Sequence, residues 1–79
     1  MRATVLVRPK EGILDPQGQA VEQSLRKLGF AVADARVGRV VDVEVEASSA
    51  DEARERVEEM CSRLLANPLI ESYEVEIVG

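Results

Sequence analysis

An α+β sandwich is predicted by three observations. Apolar residues alternate with polar ones in short runs at Ala3 to Arg8, Val41 to Glu46 and Tyr73 to Ile77, the period of a half-buried strand. They recur at helical spacing in Val21, Leu25 and Leu28, and again in Ala53, Val57, Met60, Cys61, Leu64 and Leu65. The two kinds of segment follow one another along a chain of 79 residues, enough for one domain spanning 1–79.

The first strand sets Ala3, Val5 and Val7 on one face and Thr4, Leu6 and Arg8 on the other, and Pro9 to Gly12 ends it. The first helix is expected from about Pro16 to Leu28. Asp15 is placed to cap it through its carboxylate, Pro16 fits the first position where no N–H is needed, and Gly29 follows as the C′ residue. Val21, Leu25 and Leu28 form its core stripe. Gly18 is unusual inside a helix, where glycine costs about 1 kcal/mol against alanine, and it signals close approach of another backbone or of a partner.

Phe30 to Val37 reads as a weaker strand. Gly38 is then either the turn of a hairpin or a bulge in one long bent strand, and the second alternative leaves a three-stranded sheet. Val41, Val43 and Val45 point inward while Asp42, Glu44 and Glu46 point outward. Ser49 and Glu52 form a capping box for the second helix, with Asp51 and Glu52 well placed for its dipole, and Asn67-Pro68 stops it. The last strand turns Tyr73, Val75 and Ile77 inward. The order is that of a ferredoxin-like βαββαβ fold, an antiparallel sheet with two helices on one face and the other face open.

Composition excludes several functions. The net charge is −5 and only 3% of residues are aromatic, so neither a phosphate groove nor a base-stacking platform is available and nucleic acid is not an expected partner. No apolar run approaches the roughly 20 residues that span a bilayer, which predicts a cytoplasmic protein with no membrane partner. There is no histidine and a single cysteine, Cys61, so zinc-type ligand sets and Cys–His nucleophiles are absent. The carboxylates Asp42, Glu44, Glu46, Glu74 and Glu76 alternate along strands as a solvated face does. No catalytic, cofactor or metal residues are therefore assigned, and a small core invites self-association.

The basic residues outside helices, Arg8, Lys10, Arg36 and Arg39, sit at strand ends and turns, where they either make local ion pairs or meet another subunit. The residues alone favour an interaction or regulatory module. An ACT-like ligand-sensing module, which shares the element order, is the alternative.

In Lys10 to Gly18 (KEGILDPQG), Leu28-Gly29-Phe30, Arg36-Val37-Gly38-Arg39, Met60-Cys61 and Leu64 to Glu71, the chain resembles the PurS family. These are the small subunits of phosphoribosylformylglycinamidine synthase in organisms that split the enzyme into three chains. The resemblance covers essentially the whole sequence. Arg39 stands where the family often carries Lys, which keeps the charge and changes the hydrogen-bond geometry.

The resemblance implies a non-catalytic subunit in purine biosynthesis that joins a glutaminase chain, PurQ, to a synthetase chain, PurL. The complex uses ATP and Mg, and none of these cofactors is expected on this chain alone. It also implies a homodimer or tetramer, since an N-terminal domain of the larger single-chain enzymes resembles a PurS dimer. Asp15, Gln17, Gly18, Arg36, Gly38 and Arg39 are the expected partner-binding residues, with Arg8 and Lys10 as further contacts. On this view Gly18 faces a partner and Gly18→Glu is expected to spare the fold.

Overall fold

The computed structural model describes residues 1–78. Its elements are β1 (Arg2–Pro9), α1 (Pro16–Lys27), β2 (Arg39–Glu44), α2 (Ala50–Met60) and β3 (Glu71–Val78), with a π-helical turn over Cys61–Leu65 continuing α2. The strands form one antiparallel sheet in the order β2-β1-β3, with Val5 opposite Val41 on one side and Val75 on the other. The alternation in β1 buries Ala3, Val5 and Val7, which pack with Val45, Val57, Cys61 and Ala66. Val41, Val43, Met60, Leu65, Val75 and Ile77 close over this cluster as half-buried neighbours.

The α+β class and antiparallel sheet are as expected, and of the two readings of the middle segment the three-stranded one holds. A hairpin at Val37-Gly38 calls for a left-handed glycine, yet only Gly12 and Gly29 among the described residues have positive φ. Gly38 instead lies flat against β1: a Cβ there would sit 2.2 Å from the Val7 carbonyl oxygen. The chain thus runs straight through Gly38 into β2, and the expected strand over Phe30 to Val37 makes no ladder.

The placement of α1 departs from the expectation of two helices on one face. α2 covers the sheet, but Val21 of α1 and Leu28 at its C-cap are 42% and 74% exposed, and no α1 residue belongs to the core cluster. α1 packs along the segment that follows it. Arg26 donates from Nε to the Val32 carbonyl at 2.9 Å, and Gly18 is buried against the Ala35 carbonyl. Helix and segment form an arm leaving the end of the sheet, so the molecule measures 50 × 25 × 14 Å and its radius of gyration is 15.7 Å. A compact domain of this length has about 12 Å. The arm's tip is closed by a Schellman turn, Phe30 N–H to Leu25 carbonyl and Gly29 N–H to Arg26 carbonyl, with Gly29 at φ +96°.

α2 buries Ala53, Val57 and Cys61 as its stripe requires, but Leu64 is 83% exposed. The cause is the π turn: the Ala66 N–H reaches back five residues to the Cys61 carbonyl, which shifts the helical phase and turns Leu64 outward while Leu65 keeps contact with the core. Burial raises the Cys61 thiol pKa, with Glu58 adding to the shift, as suits an apolar packing residue.

At the other end Ser49 Oγ accepts the Glu52 N–H at 3.1 Å, whereas Glu52 reaches back to Ser48, not to Ser49. The Ser48 hydroxyl, then Arg56 and the Ser48 amide, hold the Glu52 carboxyl at about 2, below its ordinary 4.5. Its contribution to folding is therefore complete above pH 4.5 and is lost as the pH falls toward about 2. Circular dichroism is expected to show a loss of helix in this window that is smaller in Glu52→Gln; identical acid profiles would contradict the assignment.

Candidate functional site

Three loops meet at the end of the sheet from which the arm departs. The β1–α1 loop, the Ala35-to-Arg39 run and the turn before β3 come together there, and the bonds between them involve most of the residues singled out in the sequence. Lys10 Nζ donates to the Pro68 carbonyl at 2.7 Å and the Lys10 N–H to the Ile70 carbonyl at 2.9 Å. Arg36 Nη2 donates to the Lys10 carbonyl at 2.8 Å, and its Nε lies 3.8 Å from Asp15 Oδ2.

Asp15 occupies the N-cap position of α1, and its carbonyl accepts the Gln19 N–H. Its carboxylate, expected to cap the first turn, makes no capping hydrogen bond and instead accepts the Val37 N–H at 2.9 Å. The two ends of the arm are thereby tied together. The Val37 N–H above all, then the nearby Gly18 amide, and Arg36 with them, lower the Asp15 pKa and keep it ionised.

Arg39 makes the one two-pronged side-chain pair among these loops. Its guanidinium grips Glu71 with both Nη atoms, Nη1 to Oε2 at 2.6 Å and Nη2 to Oε1 at 3.1 Å, and also donates from Nη2 to the Leu65 carbonyl. Glu71 in turn accepts the Asn67 N–H at 2.7 Å, and its pKa is lowered first by Arg39 and then by that amide. One arginine thus fixes the end of the π turn, the Asn67 turn and the start of β3. A lysine could supply charge here but not the paired geometry.

Gly18 and Gly38 are packing residues in this chain. A Cβ on Gly18 would lie 2.3 Å from the Ala35 carbonyl oxygen and 2.4 Å from Asp15 Oδ2, so Gly18→Glu would disturb the arm, contrary to expectation. Gln17 is exposed and lines, with Leu14, Asp15, Arg39, Ile70 and Glu71, a hollow of about 220 Å³. Arg8 stands apart from the ties between the loops: its Nη1 is 3.4 Å from Glu74 on the open sheet face, at the margin of a second hollow of about 390 Å³ shared with Arg36, Gly38 and Arg39.

Sequence reasoning assigned no role to Glu71, nor to the apolar residues beside it. Leu14 is 70% exposed and Leu69 82%, so a charged, internally tied end is rimmed by bare aliphatic side chains. Among the described residues no group of three metal-binding side chains occurs, and no helix is long and apolar enough to cross a membrane. The arrangement is a network of hydrogen bonds and ion pairs that ties the three loops to one another.

Comparison with known proteins places this geometry in context. Residues 2–79 match the family described as PurS: Phosphoribosylformylglycinamidine (FGAM) synthase. The chain is 38% identical over 77 residues to the phosphoribosylformylglycinamidine synthase subunit PurS of Methanocaldococcus jannaschii, covering 96% of this chain and 93% of that one. It is 42% identical over 76 residues to the corresponding subunit of Archaeoglobus fulgidus, covering 95% of each. Its fold matches a chain in the structure of PurLQS from Thermotoga maritima with a TM-score of 0.86 at 36% identity, over 95% of this chain and 93% of that one.

Proposed function

The chain belongs to the PurS family of FGAM synthase subunits in purine biosynthesis, and from that membership we propose that it is the non-catalytic bridge of the enzyme, joining a glutaminase chain to an ATP-dependent synthetase chain. The observation that carries the reading is the tied end of the sheet, where Lys10, Arg36 and Arg39 are committed to holding three loops in fixed relation. A surface so braced loses little freedom on binding, which is what a scaffold needs. Gln17, Leu14 and Leu69 are the side chains left to meet the larger chains. The match to a chain of the Thermotoga maritima PurLQS structure supports partners of these two kinds.

On this reading the chemistry resides elsewhere. The glutaminase releases ammonia and the synthetase uses ATP and Mg to activate its substrate, while this chain holds the two sites in register so that ammonia need not cross bulk water, where it would mostly protonate. The family assignment displaces the ligand-sensing alternative. The working unit is a homodimer in the cytoplasm, for which the small core and the exposed α1 stripe argue. Mixing the three chains and following sedimentation is the test: a complex containing synthetase and glutaminase is expected only when this chain is present, and an equal complex without it would refute the bridging role.

A further inference from the structure

β3 ends the sheet on the side away from β2, and its outer edge runs the whole strand, Glu71–Val78. The ladder fixes which groups this edge presents. The Lys10 N–H bonds to the Ile70 carbonyl, and counting by twos from that bond makes Ser72, Glu74, Glu76 and Val78 the residues bonded to β1. Tyr73, Val75 and Ile77 therefore turn their N–H and C=O groups outward, as a template for another strand. One of these groups is occupied. Arg54 on α2 reaches over the edge and donates from Nη1 to the Val75 carbonyl at 3.1 Å.

The helix leaves Arg54 free for this contact. Arg56 pairs with Glu52 and Arg63 with Glu59, each one turn back, but the position one turn before Arg54 is Ala50. The guanidinium goes to the strand edge instead.

A second copy of β3 fits the edge in shape. Laid antiparallel about a twofold axis at Val75, it sets Val75 opposite Val75 and Tyr73 opposite Ile77, so that the inner apolar residues all meet. Two features oppose this pairing. The central bonds of that ladder need the Val75 carbonyl, which Arg54 holds, and they bring the two Arg54 guanidiniums together. The same register sets Glu74 opposite Glu76 twice, like charges face to face. We infer that Arg54 and Glu76 close the β3 edge to further copies of this chain. The closure matters for a monomer and more for a homodimer, whose two such edges would let pairing run on into open chains.

The test compares the sedimentation of the wild-type chain with that of Arg54→Ala combined with Glu76→Lys, which frees the carbonyl and makes the opposed charges attract. Both residues are exposed and outside the core cluster, so the fold should be retained, which circular dichroism checks. The double variant is expected to form species heavier than the wild-type assembly, increasingly so with concentration. The Tyr73, Val75 and Ile77 amides, fast to exchange in the wild type, are expected to become protected as those species form.

Arg63→Ala combined with Glu55→Lys makes the same change of charge on exposed residues of the helical layer, and it should not associate beyond the wild type. An unchanged mass in the Arg54 and Glu76 double variant would overturn the inference. So would association that leaves the three edge amides unprotected, or equal association in the charge-matched control. Glu76→Lys alone should associate more weakly than the double variant, and equal association would remove Arg54 from the closure. Each comparison is made against the wild-type mass, so a failure here is distinct from a failure of the homodimer.

Discussion

Gly38→Ala is expected to destabilise the fold by about 2–3 kcal/mol, the upper part of the usual cost of overpacking a filled site. The added Cβ would lie 2.2 Å from the Val7 carbonyl oxygen and 3.3 Å from the Arg8 Cα, and both neighbours are backbone of the central strand. Neither can rotate away as a side chain would. Relief requires β1 and β2 to separate where Val7 faces Arg39, next to the Arg39–Glu71 pair, so the damage should spread to the tied loops. A domain of this size has only about 0.05–0.15 kcal/mol of stability per residue, so the loss is a large share of the whole. Urea denaturation measures it, and an unchanged midpoint would show that the close approach at Gly38 does not support the sheet.

The second large effect concerns assembly. Arg36→Ala combined with Arg39→Ala removes the guanidinium that joins Lys10 to Asp15 and the one that joins Leu65 to Glu71. Neither arginine belongs to the core cluster, and both are partly exposed, so the sheet and α2 should persist. The loops bearing Leu14 and Leu69 and the start of α1 bearing Gln17 would lose their fixed relation. Ordering them again on binding is expected to weaken the three-chain complex about 10- to 100-fold, from the usual cost of immobilising interface side chains and loops. Arg39→Lys, which keeps the charge but not the paired grip on Glu71, should fall between the two. Sedimentation of mixed chains reads the outcome, and wild-type affinity in the double variant would remove these loops from the interface.

Much of the fold is legible in the sequence because local physics decides it. Alternation in Ala3–Val5–Val7 and Val41–Val43–Val45 predicts strands that the structure contains, and Ser49 with Glu52 predicts the start of α2 within a residue. The apolar stripe of α1 is equally plain, yet periodicity says only that a face is to be covered, not by which chain. The assumption that it covers its own sheet is where the expectation departs from the structure. Leu64 is misplaced for a different reason: one π turn shifts the phase of a stripe that reads as continuous.

The site shows the same division. Gly18 and Gly38 signal close approach, but the approaching groups, the Ala35 and Val7 carbonyls, belong to distant segments of the same chain. Arg36 and Arg39 were legible as convergent charges, while Glu71 was not, because its role depends on the Asn67 turn folding its backbone onto the same carboxylate. Short-range patterns locate these residues. Which of them bind one another is settled only when loops far apart in sequence meet.

The central claim, that this chain couples two catalytic subunits without catalysing the reaction itself, is tested most directly by comparing product formation from glutamine with that from ammonium in a mixture of synthetase, glutaminase, ATP, Mg and substrate. Adding the chain is expected to restore the glutamine-dependent reaction and leave the ammonium-dependent one nearly unchanged. Equal glutamine-dependent rates with and without the chain would contradict the claim.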